Sequence, residues 1–113
     1  CISLNNLDLA VNRIEILKNS SFKNLFKLRS INLENNIIRI IEYDVFKDLS
    51  NLFDLDGLNN QKISYIKQEY FEGLISISSL NLIYNSIVLI EDYSFLKIKN
   101  LRTIILSMNK IVL

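Results

Sequence analysis

The sequence has no histidine, no proline and no tryptophan, a single cysteine and two glycines among 113 residues. Without histidine the commonest general acid–base is gone, and with one thiol the usual ligand sets for zinc, iron or copper are gone too. No metal and no cofactor are expected. Cys1 has no second cysteine to pair with inside the chain. No Ser-His-Asp or Cys-His set and no glycine-rich phosphate loop occurs, and the neighbouring acids Glu91-Asp92 and Asp54/Asp56 come without a metal site. The chain is therefore not expected to be an enzyme. A net charge of +1 lacks the strong basic excess of a nucleic-acid surface, so no nucleic-acid partner is expected. The longest aliphatic run, Ile87-Val88-Leu89-Ile90, is far too short to cross a bilayer, which excludes a transmembrane segment in this chain.

What is abundant is aliphatic. Leu, Ile and Phe fill 44 of the 113 positions, too many for a disordered linker. Because ordinary turns rely on glycine and proline, a chain this poor in both must bend by some other repeated device. Leu4, Leu7, Leu9, Asn12, Ile14, Leu17, Phe22 and Leu25 recur 24 residues later as Leu28, Ile31, Leu33, Asn36, Ile38, Ile41, Phe46 and Leu49. A third unit reads Leu52, Leu55, Leu58, Gln61, Ile63, Ile66, Phe71 and Leu74 if one extra residue stands between Leu55 and Leu58. The fourth restores the spacing with Ile77, Leu80, Leu82, Asn85, Ile87, Ile90, Phe95 and Ile98, and a fifth begins Leu101, Ile104, Leu106, Asn109, Ile111.

Units this small cannot bury an apolar face alone, so stability must come from stacking. The aliphatic alternation in Ile31-Asn32-Leu33, Leu80-Asn81-Leu82 and Ile104-Ile105-Leu106 has the period of a short strand with one face inward. Five such strands predict one parallel sheet, about 20 Å wide at about 4.8 Å per strand. Asn12, Asn36, Asn85 and Asn109 fall where the chain turns inward, and a buried amide there can both donate and accept, giving a structural ladder. Phe22, Phe46, Phe71 and Phe95 predict a column of stacked rings on the outer side. The third unit admits two alignments. Either Gly57 belongs to a bulge and Gln61 replaces the ladder Asn, or Asn60 keeps the ladder and Gly57 fills a leucine slot. The bulge is preferred, since it keeps Leu58 in the core and leaves no cavity.

The pattern L-x-x-L-x-L-x-x-N-x-I-x-x-I-x-x-x-x-F-x-x-L-x-x resembles the leucine-rich repeat family, in the 24-residue extracellular-type repeats of Toll-like receptors and small leucine-rich proteoglycans. The resemblance covers residues 1–113, with repeats at 4–27, 28–51, 52–76, 77–100 and 101–113. It implies an α/β-type repeat solenoid, a right-handed coil with a short parallel β-sheet on its concave face and irregular or short helical turns on its convex face. Cys1 stands three residues before Leu4, as Leu25 stands before Leu28, which reads as a core position inside an uncapped array. The other reading makes it the last cysteine of an amino-terminal cap, as in extracellular family members. An uncapped fragment is expected to self-associate through its bare ends.

The resemblance further implies a module that binds a protein partner through outward positions of the concave strands, as part of a secreted or membrane-anchored receptor-like protein. An intracellular adaptor or substrate-recognition segment is the alternative, and a purely structural spacer a third. The binding candidates are Asp8, Asn32, Glu34, Asp54, Asp56, Asn81, Ile83, Tyr84, Ile105 and Met108. None of the outward concave positions is Lys or Arg, the first three units are acidic and the last two apolar, so the expected protein ligand has a basic edge and an apolar centre. Lys23, Lys27, Arg29 and Lys97, Lys99, Arg102 read as solvated loop charge. Asn19-Ser20-Ser21 is a candidate glycosylation sequon in the convex segment.

Overall fold

The computed structural model describes residues 4–59 and 61–111. Within these residues nine strands follow in order: β1 Asn6–Asp8, β2 Ile16–Leu17, β3 Ser30–Asn32, β4 Ile40–Ile41, β5 Asp54–Asp56, β6 Tyr65–Ile66, β7 Ser79–Asn81, β8 Leu89–Ile90 and β9 Thr103–Ile105. All pairing is parallel, with the same column of one rung beside the same column of the next: Leu7 beside Ile31 beside Leu55, and Leu80 beside Ile104. Successive rungs form a repeat solenoid whose odd-numbered strands line the concave face. The even-numbered strands form a second, narrower ribbon on the flank.

Stacking supplies the core. Leu28, Leu33, Ile38 and Leu49 of the second rung are fully buried, as are Ile77, Leu80, Leu82 and Ile87 of the fourth. Leu4, Leu7 and Leu9 in the first rung, and Leu101, Ile104 and Leu106 in the fifth, are only half-buried. The same residue types in the same columns thus differ in burial according to whether a neighbour covers them. The phenylalanine rings stack in one file, Phe22–Phe46 at 6.3 Å, Phe46–Phe71 at 6.2 Å and Phe71–Phe95 at 6.0 Å between centroids, all within 18° of parallel.

Side-chain amides sew the rungs together. Asn36 donates to the carbonyls of Leu33 in its own rung and Leu9 in the previous one, while its Oδ1 accepts from the backbone N–H of Ile14. Asn85 does the same with Leu82, Leu58 and Ile63, and Asn109 with Leu106, Leu82 and Ile87. Asn12 is exposed and donates within its own rung to the Leu9 and Ala10 carbonyls.

Two expectations need correction. Among the described residues the convex segments contain no helix. Each carries one residue of positive φ, Asn24 (φ 65°) and Gly73 (φ 103°) at the end of the turn segment and Asp44 (φ 61°) and Tyr93 (φ 63°) near its start, which interrupts a right-handed helical run. Nor do the concave strands make one sheet of five: β1, β3 and β5 form one sheet, and β7 and β9 another. The break falls at the extra residue of the third rung. Gly57 sits at φ 95° against the backbone of Leu33 and Glu34, where a Cβ would collide with the Glu34 nitrogen. Leu58 is buried behind the bulge, and Gln61 stands in the amide file. Its extra methylene lets it reach one residue further back, to the Gly57 carbonyl, as well as to Leu33 across the rung at 3.0 Å, while its Oε1 accepts from Ile38 N–H. Asn60, the other candidate for that position, lies outside the described residues, as does Cys1.

The outer ribbon breaks one rung earlier, with β2 paired to β4 and β6 to β8. The third rung is thus joined to the second through the concave sheet and to the fourth through the flank. Replacing Gln61 by Asn shortens the reach across the bulge and strands the Ile38 N–H, and should cost about 1–3 kcal/mol by denaturant unfolding. Gly57→Ala should cost a similar amount or more, because its conformation and its close approach both exclude a side chain.

Candidate binding face

The outward positions of the concave strands come in pairs around each inward aliphatic, by the alternation of a pleated strand. Asn6 and Asp8 flank Leu7, Ser30 and Asn32 flank Ile31, Asp54 and Asp56 flank Leu55, Ser79 and Asn81 flank Leu80, and Thr103 and Ile105 flank Ile104. The register brings Asp8, Asn32 and Asp56 side by side, and likewise Asn6, Ser30 and Asp54. Together these six line one shallow concavity. Ser30 donates to Asn6 Oδ1 at 2.6 Å. Burial and then the neighbouring Asp56 carboxylate, which also hydrogen-bonds to it, raise the Asp54 carboxyl above its ordinary value.

Three of the candidates have a local task as well. Asp8 Oδ1 accepts from Ala10 N–H at 3.0 Å, Asn32 Oδ1 from Glu34 N–H at 3.0 Å, and Asn81 Oδ1 from Ile83 N–H at 3.1 Å. These bonds turn the chain at the end of each strand, as short Asx side chains do. One carboxylate or amide oxygen at each of these positions is thereby committed to the backbone.

Glu34 lies beyond this concavity, in the turn after β3, with its backbone against Gly57. The apolar candidates gather at the end of the other sheet, Ile105 in β9 and Ile83, Tyr84 and Met108 in the turns after β7 and β9. Ile105 pairs in register with Asn81, Tyr84 N–H donates to Ser107 carbonyl, and Ile83 is half-buried between them in sequence. Tyr84 and Met108 are 52% and 62% exposed, in equivalent positions of consecutive rungs. The acidic and apolar halves of the face therefore sit at separate sheets, divided at the Gly57 bulge.

The residue before each of Asn12, Asn36, Asn85 and Asn109 adopts a left-handed conformation: Val11 (φ 57°), Asn35 (φ 60°), Tyr84 (φ 58°) and Met108 (φ 59°). For Asn35 this is ordinary, but for a β-branched residue such as Val11 it is costly. Sequence reasoning missed this column, because only Asn35 among the four is a residue type that signals it. It also missed the outward row of the flank ribbon, Ile16, Ile40, Tyr65 and Leu89. The available signal was an apolar residue immediately before the inward Leu17, Ile41, Ile66 and Ile90 in every unit.

Among the described residues no group of three or more His, Cys, Asp or Glu is placed to hold a metal ion, and no helix is long and apolar enough to cross a membrane.

A parallel-stranded coil with an aliphatic interior, an amide file and a phenylalanine file defines a leucine-rich repeat solenoid. The leucine rich repeat family model matches residues 2–56 and 57–111, and the chain belongs to that family. The leucine-rich repeat-containing G-protein coupled receptor 5 of Rattus norvegicus is 40% identical over 65 residues, covering 58% of this chain and 7% of the receptor. Among solved structures, the TLR13–ssRNA13 complex matches with a TM-score of 0.86 and 36% identity over 95% of this chain and 15% of that one. The Toll–Spatzle complex, a hub in Drosophila development and innate immunity, matches in fold with a TM-score of 0.82 and 24% identity over 88% of this chain and 13% of that one. This chain thus equals only a small share of the length of each. The expected absence of nucleic-acid partners finds no support in the fold, since TLR13 occurs in complex with a single-stranded RNA.

Because the folded-state value of Asp54 is raised, its ionisation opposes folding above that value, and the penalty fades as pH falls through it to the ordinary carboxylate range. Asp54→Asn should therefore raise the melting temperature at neutral pH by about 1–3 °C, with the advantage gone near pH 3. A pH series of thermal melts checks the trend.

Proposed function

We propose that the chain is a protein-recognition segment of a receptor-like protein, exposed outside the cell, and that it binds through the concave face. The observation that carries this reading is the division of that face. Asp8, Asp54 and Asp56 cluster on the first sheet, while Ile83, Tyr84, Ile105 and Met108 cluster at the second, and no outward concave position carries Lys or Arg. Such a surface suits a ligand whose apolar centre meets the second sheet and whose basic edge meets the first. The likeness to a G-protein coupled receptor and to TLR13 supports the receptor setting. Spatzle, bound in the Toll complex, is the protein-ligand precedent within the fold.

Selection of displayed random peptides against the chain tests the reading. Enriched peptides should combine Lys or Arg with large apolar residues, bind more weakly as salt rises, and lose about tenfold or more in affinity to Asp54→Lys/Asp56→Lys. Enrichment of peptides without basic residues would overturn it. So would tighter binding of a short single-stranded RNA than of the selected peptides.

In the same setting Asn19 is a glycan attachment position. Asn19 is exposed on the convex turn, with its backbone N–H tied to Glu42 Oε1 at 2.9 Å. Expression through a secretory pathway should add a glycan mass that amidase treatment removes and that Ser21→Ala abolishes.

A further inference from the structure

The outer ribbon turns one side chain per rung away from the core. These are Ile16, Ile40, Tyr65 and Leu89, with 37%, 41%, 50% and 55% of their surface exposed. Ile16 lies in register with Ile40, and Tyr65 with Leu89, giving two apolar pairs that occupy one repeat column along the flank, on either side of the ladder break between β4 and β6. Two residues further on, past the inward Leu17, Ile41, Ile66 and Ile90, runs a second outward row whose charge alternates: Lys18, Glu42, Lys67, Glu91. The carboxylates in it are fixed, because Glu42 Oε1 accepts from the N–H of Asn19 and Glu91 Oε1 from that of Gln68, both at 2.9 Å. The carboxylates therefore border the apolar row at fixed heights.

We propose that this flank pairs with the same flank of a second copy of the chain, about a two-fold axis lying across the rungs between the second and the third. Such an axis reverses the order of the rungs and sets each row against itself. Lys18 then meets Glu91 of the second copy and Glu42 meets Lys67, so all four contacts of the charged row are between opposite signs. In the apolar row Ile16 meets Leu89 and Ile40 meets Tyr65. The rows on one side add no like-charge contact: Glu15 faces Val88, Arg39 faces Ser64, Arg13 faces Ser86 and Ile37 faces Lys62. On the other side Asn19 faces Asp92 and Tyr43 faces Gln68, and the one like-charge approach, Asp44 to Glu69, falls a further row out. Glu15 and Arg39 are already paired with each other at 3.2 Å within the chain. A slip of one rung would set Lys18 against Lys67 and Glu42 against Glu42, so the alternation also rejects the wrong register.

The apolar row provides the attraction, and the exposed charges mainly select register, since surface pairs contribute little by themselves. Four rungs at about 4.8 Å make a patch smaller than a standard interface, which fits a weak dimer populated at about 0.1 mM and above. This pairing uses a face that the proposed ligand surface leaves open and does not rest on that reading, and a glycan on Asn19, beside Lys18 and held to Glu42, would exclude it.

The experiment mixes unglycosylated chains carrying Cys1→Ser and Ile16→Cys with chains carrying Cys1→Ser and Leu89→Cys under mild oxidation. The expected product is a disulfide-linked pair formed between the two variants, at least tenfold in excess over links within either variant alone. Adding Lys18→Glu and Lys67→Glu to both should reduce that product about tenfold, and Tyr65→Lys should do the same by breaking the apolar row. Circular dichroism confirms that the variants stay folded. Sedimentation of the unsubstituted chain should show a monomer–dimer equilibrium near 0.1 mM. A chain that remains monomeric at 1 mM would overturn the proposal. Links that form equally within each variant, or that ignore the charge reversal, would also overturn it.

Discussion

The buried amide file is the constraint on which the solenoid depends. A turn after each concave strand leaves backbone carbonyls and N–H groups facing inward, and an unpaired group there costs roughly 1–3 kcal/mol. Asn36, Gln61, Asn85 and Asn109 each satisfy carbonyls in two rungs and one N–H of the rung before. The described residues contain no buried side-chain polar atom without a partner. Because these bonds span rungs, they fix the height and rotation at which aliphatic layers meet. The hydrophobic columns can then close into a single interior, as the fully buried residues of the second and fourth rungs do.

The third rung shows how far this scheme bends without failing. One additional residue breaks the concave sheet, yet the phenylalanine file runs past it at an unchanged spacing of 6.2 Å to 6.0 Å. Continuity passes from the backbone ladder to side chains: a longer amide spans the bulge, and glycine permits the close approach to Leu33 and Glu34. The flank ribbon breaks on the opposite side of the same rung, so no single plane cuts both ladders. The consequence for recognition is a concave face in two panels with different chemistry, a polar and acidic one over β1, β3 and β5 and one over β7 and β9 whose apolar side chains gather at the strand ends and in the turns that follow.

Much of this was legible because the relevant forces act at fixed sequence separations. Leu33, Leu58 and Leu82 had to be interior because their columns never admit a polar residue, and Gln61 could be placed by asking which alignment avoids a cavity. The candidate face was legible in a weaker sense: outwardness follows from alternation, so Asp8, Asn32, Asp54 and Ile105 could be named. That Asp8, Asn32 and Asn81 also hold their own turns was not visible, since Asx bonds depend on the backbone direction after the strand. The helical turns expected on the convex side failed for a similar reason. Asp44 and Tyr93 turn left-handed two residues before Phe46 and Phe95, whereas Ser20 and Glu69 at the same place before Phe22 and Phe71 do not, so the column carries no uniform signal for that conformation.

The sequence alone determined the period, the interior columns, the amide and ring files and the polarity of each outward position, because a repeating pattern of transfer free energies along the chain is enough to define a stacked coil. Tertiary structure decided where the ladders break, which carboxylates approach one another and how the flank row from Ile16 to Leu89 lines up. Those features depend on distances between rungs some two dozen residues apart. Such distances are set only when every layer has packed and every inward backbone group has found its partner.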